Sequence, residues 1–285
     1  MSSPSNERVS DDDEYDSTED IVEVDYAKID QDNREIDQSF RIHEVFKCVL
    51  GGNYLAPLGR DIKRCLELGY SSGILMMELA SEFKNCEFHG LDKRSSAPND
   101  IYPHNCHFEK GDFYTGIKFP DEYFDYVYLR CTMVLIQEDK YNFLLGELNR
   151  VLKKGGWIEF TELDFEFRPK GPTCKSLEGI LYDTLRKDNT NAQKVRQLGS
   201  ILTENGFINV KERTYDIPLG EHGGEIGINM ASFWRNLAQT YKDNIISKVD
   251  AKSQQELDEF IEKGIKEFDE HHSFNKAYNF VAQKA

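Results

Sequence analysis

The segment from residue 64 to residue 92 constrains the fold of this chain more than any other. It reads RCLELGYSSG, ILMMELASEF and KNCEFHGLD, which is an apolar strand, a glycine-containing turn, a helix and a second strand ending in Asp92. In such a unit the turn places backbone N–H groups at a helix N-terminus, and the terminal acid can accept hydrogen bonds from ribose hydroxyls. The segment therefore predicts a site for the adenosine part of a cofactor.

Strand and helix patterns continue to alternate beyond this unit. Alternation of this kind predicts an α/β fold with a mostly parallel sheet that is covered by helices on both faces. The further strands are predicted near 106–109, 124–129, 157–163 and 208–215, with a closing strand in SFNKAYNFVAQK. The helices are predicted near 35–50, 73–83, 141–152, 177–186, 192–205, 230–241 and 254–268, and Gly155-Gly156 is expected to stop the third of these.

Charge narrows the range of partners. The chain has 285 residues and a net charge of −16, of which residues 1–34 contribute −9 through twelve acids and three bases. Residues 1–34 have little to bury and are predicted to be a disordered acidic tail, which could contact a protein partner. Because both parts of the chain are acidic and would be repelled by phosphate, we expect neither a nucleic acid nor an anionic membrane as partner.

Targeting signals and metal motifs are absent from the sequence pattern. No apolar run approaches the roughly 20 residues of a membrane span, and the first residues resemble neither a secretory nor an import signal. The six cysteines are dispersed without a CxxC pair, and His271-His272 lacks a third ligand at metal spacing. We therefore expect no metal site and a reduced, cytoplasmic or nuclear compartment.

The glycine turn, ELGYSSG at 67–73, allows several interpretations. Read as G-x-S-x-G it would be a hydrolase elbow with Ser71 as nucleophile, but no oxyanion-hole motif precedes it. A nicotinamide motif would match only Gly69. An S-adenosylmethionine motif of the form acid-x-Gly-x-Gly-x-Gly fits Glu67, Gly69 and Gly73, with Ser71 in place of the middle glycine. A turn of the same shape that binds nothing is the remaining alternative.

Further residues at the strand ends favour S-adenosylmethionine. Asp92 is placed for the ribose. Asp112 follows the third strand, where a carboxylate can accept the adenine amine, and Phe113 can stack on the adenine ring. The end of the fourth strand would face the methyl group.

At this point the chain resembles a class I S-adenosylmethionine-dependent methyltransferase. More narrowly, it is similar to the fungal methyltransferase-domain proteins related to the regulator of secondary metabolism. The resemblance covers about 35–210 and depends on FRIHEVF, YLAP, FDYVYLR, LKKGGWIEFTELD and ENGFINV. The chain departs from that pattern at Gln38, Ile42, Ser71 and Lys154.

The resemblance implies a Rossmann-like fold with a seven-stranded, mostly parallel sheet whose last strand is antiparallel. It implies a single domain over 35–285, made of an entry helix and connector (35–60), a cofactor-binding core (61–165) and substrate-side helices with closing strands (166–285). It implies S-adenosyl-L-methionine as cofactor, with contacts from Glu67, Gly69, Tyr70, Ser71, Gly73, Asp92, Asp112, Phe113 and Arg130.

The chemistry predicted from this resemblance is methyl transfer, with the acceptor held in line with the methyl group. A general base helps where the acceptor loses a proton, and the candidates are Glu162 and His43. A small-molecule acceptor is favoured, with Phe233, Trp234 and Tyr241 as candidate pocket walls. A non-catalytic, methyltransferase-like regulatory protein is the alternative from another class.

Overall fold

The computed structural model describes residues 26–94, 101–249 and 251–285, with side chains from residue 35 onward. Helix α1 spans Tyr26–Leu50 and therefore includes the last nine residues of the predicted acidic tail, 26–34. The helical backbone thus continues into the polar segment, and the domain boundary at residue 34 stays a prediction. The rest of the predicted tail, residues 1–25, lies outside the described residues.

Seven strands form one sheet with eight helices around it in the described part of the chain. The strands are β1 Arg64–Leu68, β2 Glu87–Asp92, β3 Cys106–Lys110, β4 Phe124–Arg130, β5 Leu152–Leu163, β6 Phe207–Pro218 and β7 Phe274–Lys284. The helices after α1 are α2 Ile74–Glu82, α3 Tyr141–Val151, α4 Pro172–Lys187, α5 Leu198–Glu204, α6 Gly224–Thr240, α7 Lys242–Val249 and α8 Gln254–Glu270.

The strand order is β3-β2-β1-β4-β5-β7-β6. Strands β1 to β5 pair in parallel, whereas β7 runs antiparallel to both of its neighbours. The chain order reverses between β1 and β4, and in open α/β sheets ligands bind in the crevice at such a reversal. The predicted seven-stranded Rossmann-like sheet with an antiparallel last strand is confirmed.

Two points of local structure differ from the prediction. Helix α3 ends at Val151, one residue before its predicted bound, and Gly155-Gly156 lie inside β5, which begins at Leu152 rather than at Trp157 because Leu152 already pairs with Phe124. Helix α7 was not predicted. Its residues follow α6 with only Tyr241 between the two helices.

The two faces of the central strands pack into different clusters. Leu66 and Leu68 of β1 belong to the cluster that also buries α3, whereas Cys65 belongs to the cluster that buries α2. A third cluster joins α1 to α4, α6 and α8. Side chains that alternate along a strand therefore point to different layers.

A buried carboxylate anchors the YLAP connector to the sheet. Glu159 of β5 accepts hydrogen bonds from the N–H groups of Leu55 and Ala56 at 2.9 to 3.0 Å. It also accepts from the hydroxyl of Tyr126 at 3.0 Å and from the amide of Asn279 at 2.7 Å. Four donor groups compensate the burial of this carboxylate and fix the chain between α1 and β1.

Membrane crossing is not indicated by the helices that the structure describes, since none is both long and apolar enough to span a bilayer.

Candidate cofactor site

The glycine turn lies at the carboxyl end of β1, where the strand order reverses. Gly69 and Gly73 have φ angles of +71° and +73°, which L side chains rarely adopt. A Cβ at Gly69 would lie 2.7 Å from Oγ1 of Thr132, and a Cβ at Gly73 would overlap the ring of Phe108. Both glycines are therefore required by conformation and by space.

Ser71, the residue in place of the middle glycine, also has a positive φ of 52° and is exposed. Its N–H donates a hydrogen bond to Oδ2 of Asp92 at 2.9 Å, and Oδ1 of Asp92 accepts from the N–H of Arg94 at 2.8 Å. The Asp92 carboxylate therefore faces the turn while it is partly exposed, and each oxygen keeps lone-pair capacity for a further donor. The structure brings Asp92 and the turn together, as the sequence predicted.

The residues predicted to contact adenine lie one strand further along the sheet. Oδ1 of Asp112 accepts from the N–H of Tyr114 at 2.9 Å and caps a short 3-10 helix, while Oδ2 lies 3.2 Å from Nζ of Lys93. Phe113 is buried. Tyr70 is also buried, and its ring packs on Gly90, so its side chain belongs to the core and only its backbone is available to a ligand.

Glu67 is buried beneath the turn. Its Oε2 has no hydrogen-bond partner, and the residue lines a cavity of about 10 Å³, which is close to the size of one water molecule. Burial raises the pKa of Glu67 to about 7, while the charge of Arg130 opposes the rise. An orphaned buried carboxylate oxygen that feels the charge of Arg130 fits the ammonium of a ligand that also carries a carboxylate.

Arg130, at the end of β4, is hydrogen-bonded to the predicted base His43. Nη1 of Arg130 lies 3.0 Å from Nδ1 of the fully buried imidazole. Since a guanidinium only donates, Nδ1 accepts and the ring proton lies on Nε2, which is 3.3 Å from Oε2 of Glu78 at an angle too poor for a full hydrogen bond. Burial and then Arg130 lower the pKa of His43 to about 4. In this state the lone pair of His43 is already used, and its role as a general base stays a prediction.

His43 also belongs to a cluster of potential metal ligands. Its ring and the carboxylates of Glu44 and Glu78 place ligand atoms within 4.8 Å of one another. A metal would need the Nε2 lone pair, but the contact with Arg130 keeps the proton on that nitrogen. Lys47 already binds both oxygens of Glu78 at 2.7 and 2.8 Å. The cluster is therefore better suited to its present hydrogen bonds than to a cation.

Glu162, the other predicted base, lies at the end of β5 among the residues that face α3. Its Oε1 accepts from the N–H groups of Thr132 and Met133 at 3.0 Å each, and its Oε2 has no partner. Burial raises the pKa of Glu162 to about 8, although these two hydrogen bonds act to lower it. The residue holds the loop that follows β4, and its catalytic assignment stays a prediction.

The geometry of the structure argues against two interpretations of the sequence. In the described residues no histidine is hydrogen-bonded to Ser71, and β1 is the first strand of the sheet rather than a strand preceded by several others. A hydrolase elbow with Ser71 as nucleophile is not supported. Trp234, a candidate pocket wall, is fully buried and donates to Oδ1 of Asn275 at 2.5 Å, so it belongs to the core.

Three residues that contribute to the site were not identified from the sequence. Ser39 of α1 and Ser72 of the turn share a hydrogen bond between their hydroxyls at 2.8 Å, and Thr132 packs on Gly69. Ser39 lies four residues before His43, so the helical repeat places both on one face of α1. That spacing was the available signal.

Comparison with known proteins agrees with the class of protein that the sequence predicted. Residues 65–156, about a third of the chain, match a family described as "Methyltransferase domain". Together with the strand order and the geometry of the turn, this match defines a domain of the class I methyltransferase type, a class whose cofactor is S-adenosylmethionine.

The chain is similar to fungal proteins of this type. It is 30% identical over 141 residues to a secondary metabolism regulator, laeA, of Coprinopsis cinerea, covering 47% of this chain and 35% of the relative. It is 27% identical over 197 residues to the N-methyltransferase verN of Clonostachys rogersoniana, covering 66% of this chain and 68% of the relative. The chain thus spans about a third of the length of the first relative.

Among solved structures, one match is the complex of the Haloferax volcanii Trm112 methyltransferase activator with a methyltransferase. The identity is 14%, the TM-score is 0.52, and the match covers 90% of this chain and 95% of that chain. At this identity the likeness shows the fold alone.

Proposed function

We propose that this chain is an S-adenosylmethionine-dependent methyltransferase whose methyl acceptor is a small molecule. The observation that carries the proposal is the hydrogen bond from Ser71 to Asp92. It closes the turn into a backbone cradle at the carboxyl edge of the sheet and points a carboxylate into the same crevice. The region that matches the methyltransferase domain, 65–156, contains both residues.

Each part of the cofactor has a chemically suited residue. Asp92 would accept the ribose hydroxyls, and Asp112 would accept the adenine amine beside Phe113. Glu67 and Arg130 would bind the ammonium and carboxylate of the amino-acid end, because an oxygen of Glu67 lacks a partner and the two groups are electrostatically coupled. The bound cofactor supplies a methyl group that is already activated on a sulfonium. The protein then has to orient the acceptor and exclude water.

A small acceptor is supported by charge. The net charge of −16 disfavours nucleic acid. The name of the Clonostachys relative describes an N-methyltransferase.

Two measurements test the proposal. Mass spectrometry of the purified protein should detect co-purified S-adenosylmethionine or S-adenosylhomocysteine, and calorimetry should detect binding of both. Incubation of an extract with methyl-labelled cofactor should then place the label in the small-molecule fraction. Absence of binding at millimolar ligand would reject the methyltransferase assignment, and label in the protein fraction would reject the small acceptor.

A regulatory role without catalysis is the second candidate. It is supported by the side chain that Ser71 adds to the turn and by the regulator name of the Coprinopsis relative. Cofactor binding without transfer of the methyl label to either the small-molecule fraction or the protein fraction would favour this regulatory role.

A further inference from the structure

The entry helix α1 reaches the cofactor site through His43 as well as through Ser39, whose hydroxyl contacts Ser72 of the turn. His43 of α1 is fully buried and contacts two other elements, namely Arg130 at the end of β4 and Glu78 of α2. The guanidinium of Arg130 also lies over the ring of Phe46 of α1, 5.8 Å from its centroid. Arg130 is thus attached to α1, and its charge also acts on Glu67 and opposes the rise of the pKa of that carboxyl.

The partners of His43 are themselves fixed. Glu78 accepts from Nζ of Lys47 at 2.7 and 2.8 Å and from the amide of Asn53 at 2.9 Å. The carboxylate therefore stays opposite the Nε2–H of His43, which leaves Nδ1 as an acceptor for Arg130. A guanidinium on a long flexible stem keeps one orientation only if such an acceptor holds it.

We propose that His43 is a positioning residue that holds Arg130 toward the amino-acid end of the cofactor, so that docking of α1 sets the affinity for the cofactor. The inference rests on the proposed function and assigns to one side chain of the entry helix the task of completing the site. His43 acts on the cofactor only through Arg130, for which its Nδ1 is the hydrogen-bond acceptor.

The test distinguishes the role of Nδ1 of His43 as a hydrogen-bond acceptor from the packing of the His43 ring. In His43→Asn the side-chain oxygen lies close to the former position of Nδ1 and can still accept from Arg130, whereas His43→Leu fills a similar volume without an acceptor. Gln38→Ala is the matched control, because it removes the contact of α1 with Asn236 of α6 without touching Arg130, His43 or Glu78. Affinity for S-adenosylhomocysteine is measured by calorimetry, and folding by the melting temperature.

We expect His43→Leu to weaken binding about tenfold, the effect of one lost charge-assisted hydrogen bond, at a melting temperature close to that of the wild type. His43→Asn should bind within about threefold of the wild type, and Gln38→Ala should bind normally even if it melts earlier. Equal losses in His43→Leu and His43→Asn, or no loss in His43→Leu, would overturn the inference.

A second measurement does not depend on the cofactor. The ¹⁵N NMR signals of the His43 ring should show a neutral imidazole with its proton on Nε2 at neutral pH, and a proton on Nδ1 would contradict the proposal. If the wild type binds no S-adenosylhomocysteine, both the function and this inference fail. If the wild type binds and only the pattern among the variants is wrong, the inference alone fails.

Discussion

Asp92 and Ser71 connect the end of β2 to the turn after β1 through a hydrogen bond of 2.9 Å between a carboxylate oxygen and a backbone N–H. The acid that is proposed to bind the ribose therefore also shapes the turn that cradles the cofactor. The two tasks use the same carboxylate, and a substitution at Asp92 affects both.

Asp92→Ala should weaken binding of S-adenosylhomocysteine about 10- to 100-fold, because one or two hydrogen bonds to a charged group are lost. Asp92→Asn keeps an acceptor for the N–H of Ser71 and should lose less. Calorimetry measures both variants. Glu109→Ala, at an exposed position near the end of the neighbouring strand β3, is the control and should bind normally. Unchanged affinity in Asp92→Ala would reject the ribose assignment.

Glu67→Gln should stabilise the fold more at pH 8 than at pH 5. The pKa of Glu67 is raised from 4.5 to about 7, so the folded state binds more protons than the unfolded state between these values. The free energy of unfolding of the wild type therefore falls as the pH rises through this window. This loss of stability is complete above pH 7. The amide does not titrate, so the difference between variant and wild type grows with pH, by up to roughly 3 kcal/mol.

Denaturant unfolding at the two pH values measures this difference. Glu162, whose pKa is also raised, is present in both proteins and cancels. Glu109→Gln, at an exposed position, should follow the wild type. A pH-independent effect of Glu67→Gln would show that Glu67 is not held protonated by burial.

The sheet could be predicted from the sequence because its apolar strands and the glycines between them are local signals. Strand β1 lies at the start of the segment 64–92, where the first strand was predicted, and the glycine turn and Asp92 meet as their positions in an α/β unit require. The start of β5 at Leu152 could not be predicted in this way, because the pairing of Leu152 with Phe124, a contact between residues distant in sequence, decides it.

The contacts within the site depend on tertiary packing in the same manner. The sequence indicates His43 and Arg130 separately, but only the docking of α1 against β4 and α2 shows that the arginine uses the lone pair of the histidine. The same holds for Glu162, where the sequence gives an acid at a strand end and the structure gives two backbone donors for it. Side chains 29 to 87 residues from their partners leave no periodic signal.

Ser71→Ala should leave binding of S-adenosylhomocysteine within about threefold of the wild type, because the side chain is exposed and the contact with Asp92 uses the backbone N–H. Neither the wild type nor this variant should react with a fluorophosphonate, since no histidine is hydrogen-bonded to Ser71 in the described residues. Labelling of Ser71 in the wild type would instead support the hydrolase.

Gly73→Ala should lower the free energy of unfolding by about 1–3 kcal/mol, because the position needs a positive φ and the added Cβ would meet the ring of Phe108. Gly146→Ala is the matched control. Gly146 lies within α3 with no neighbouring atom within 4 Å of an added Cβ, so alanine should stabilise the helix there by about 0.5–1 kcal/mol. Denaturant unfolding compares the two variants, and calorimetry should show weaker cofactor binding for Gly73→Ala alone. If both variants were stabilised, Phe108 would have to move aside freely, and Gly73 would not be required to shape the cofactor turn.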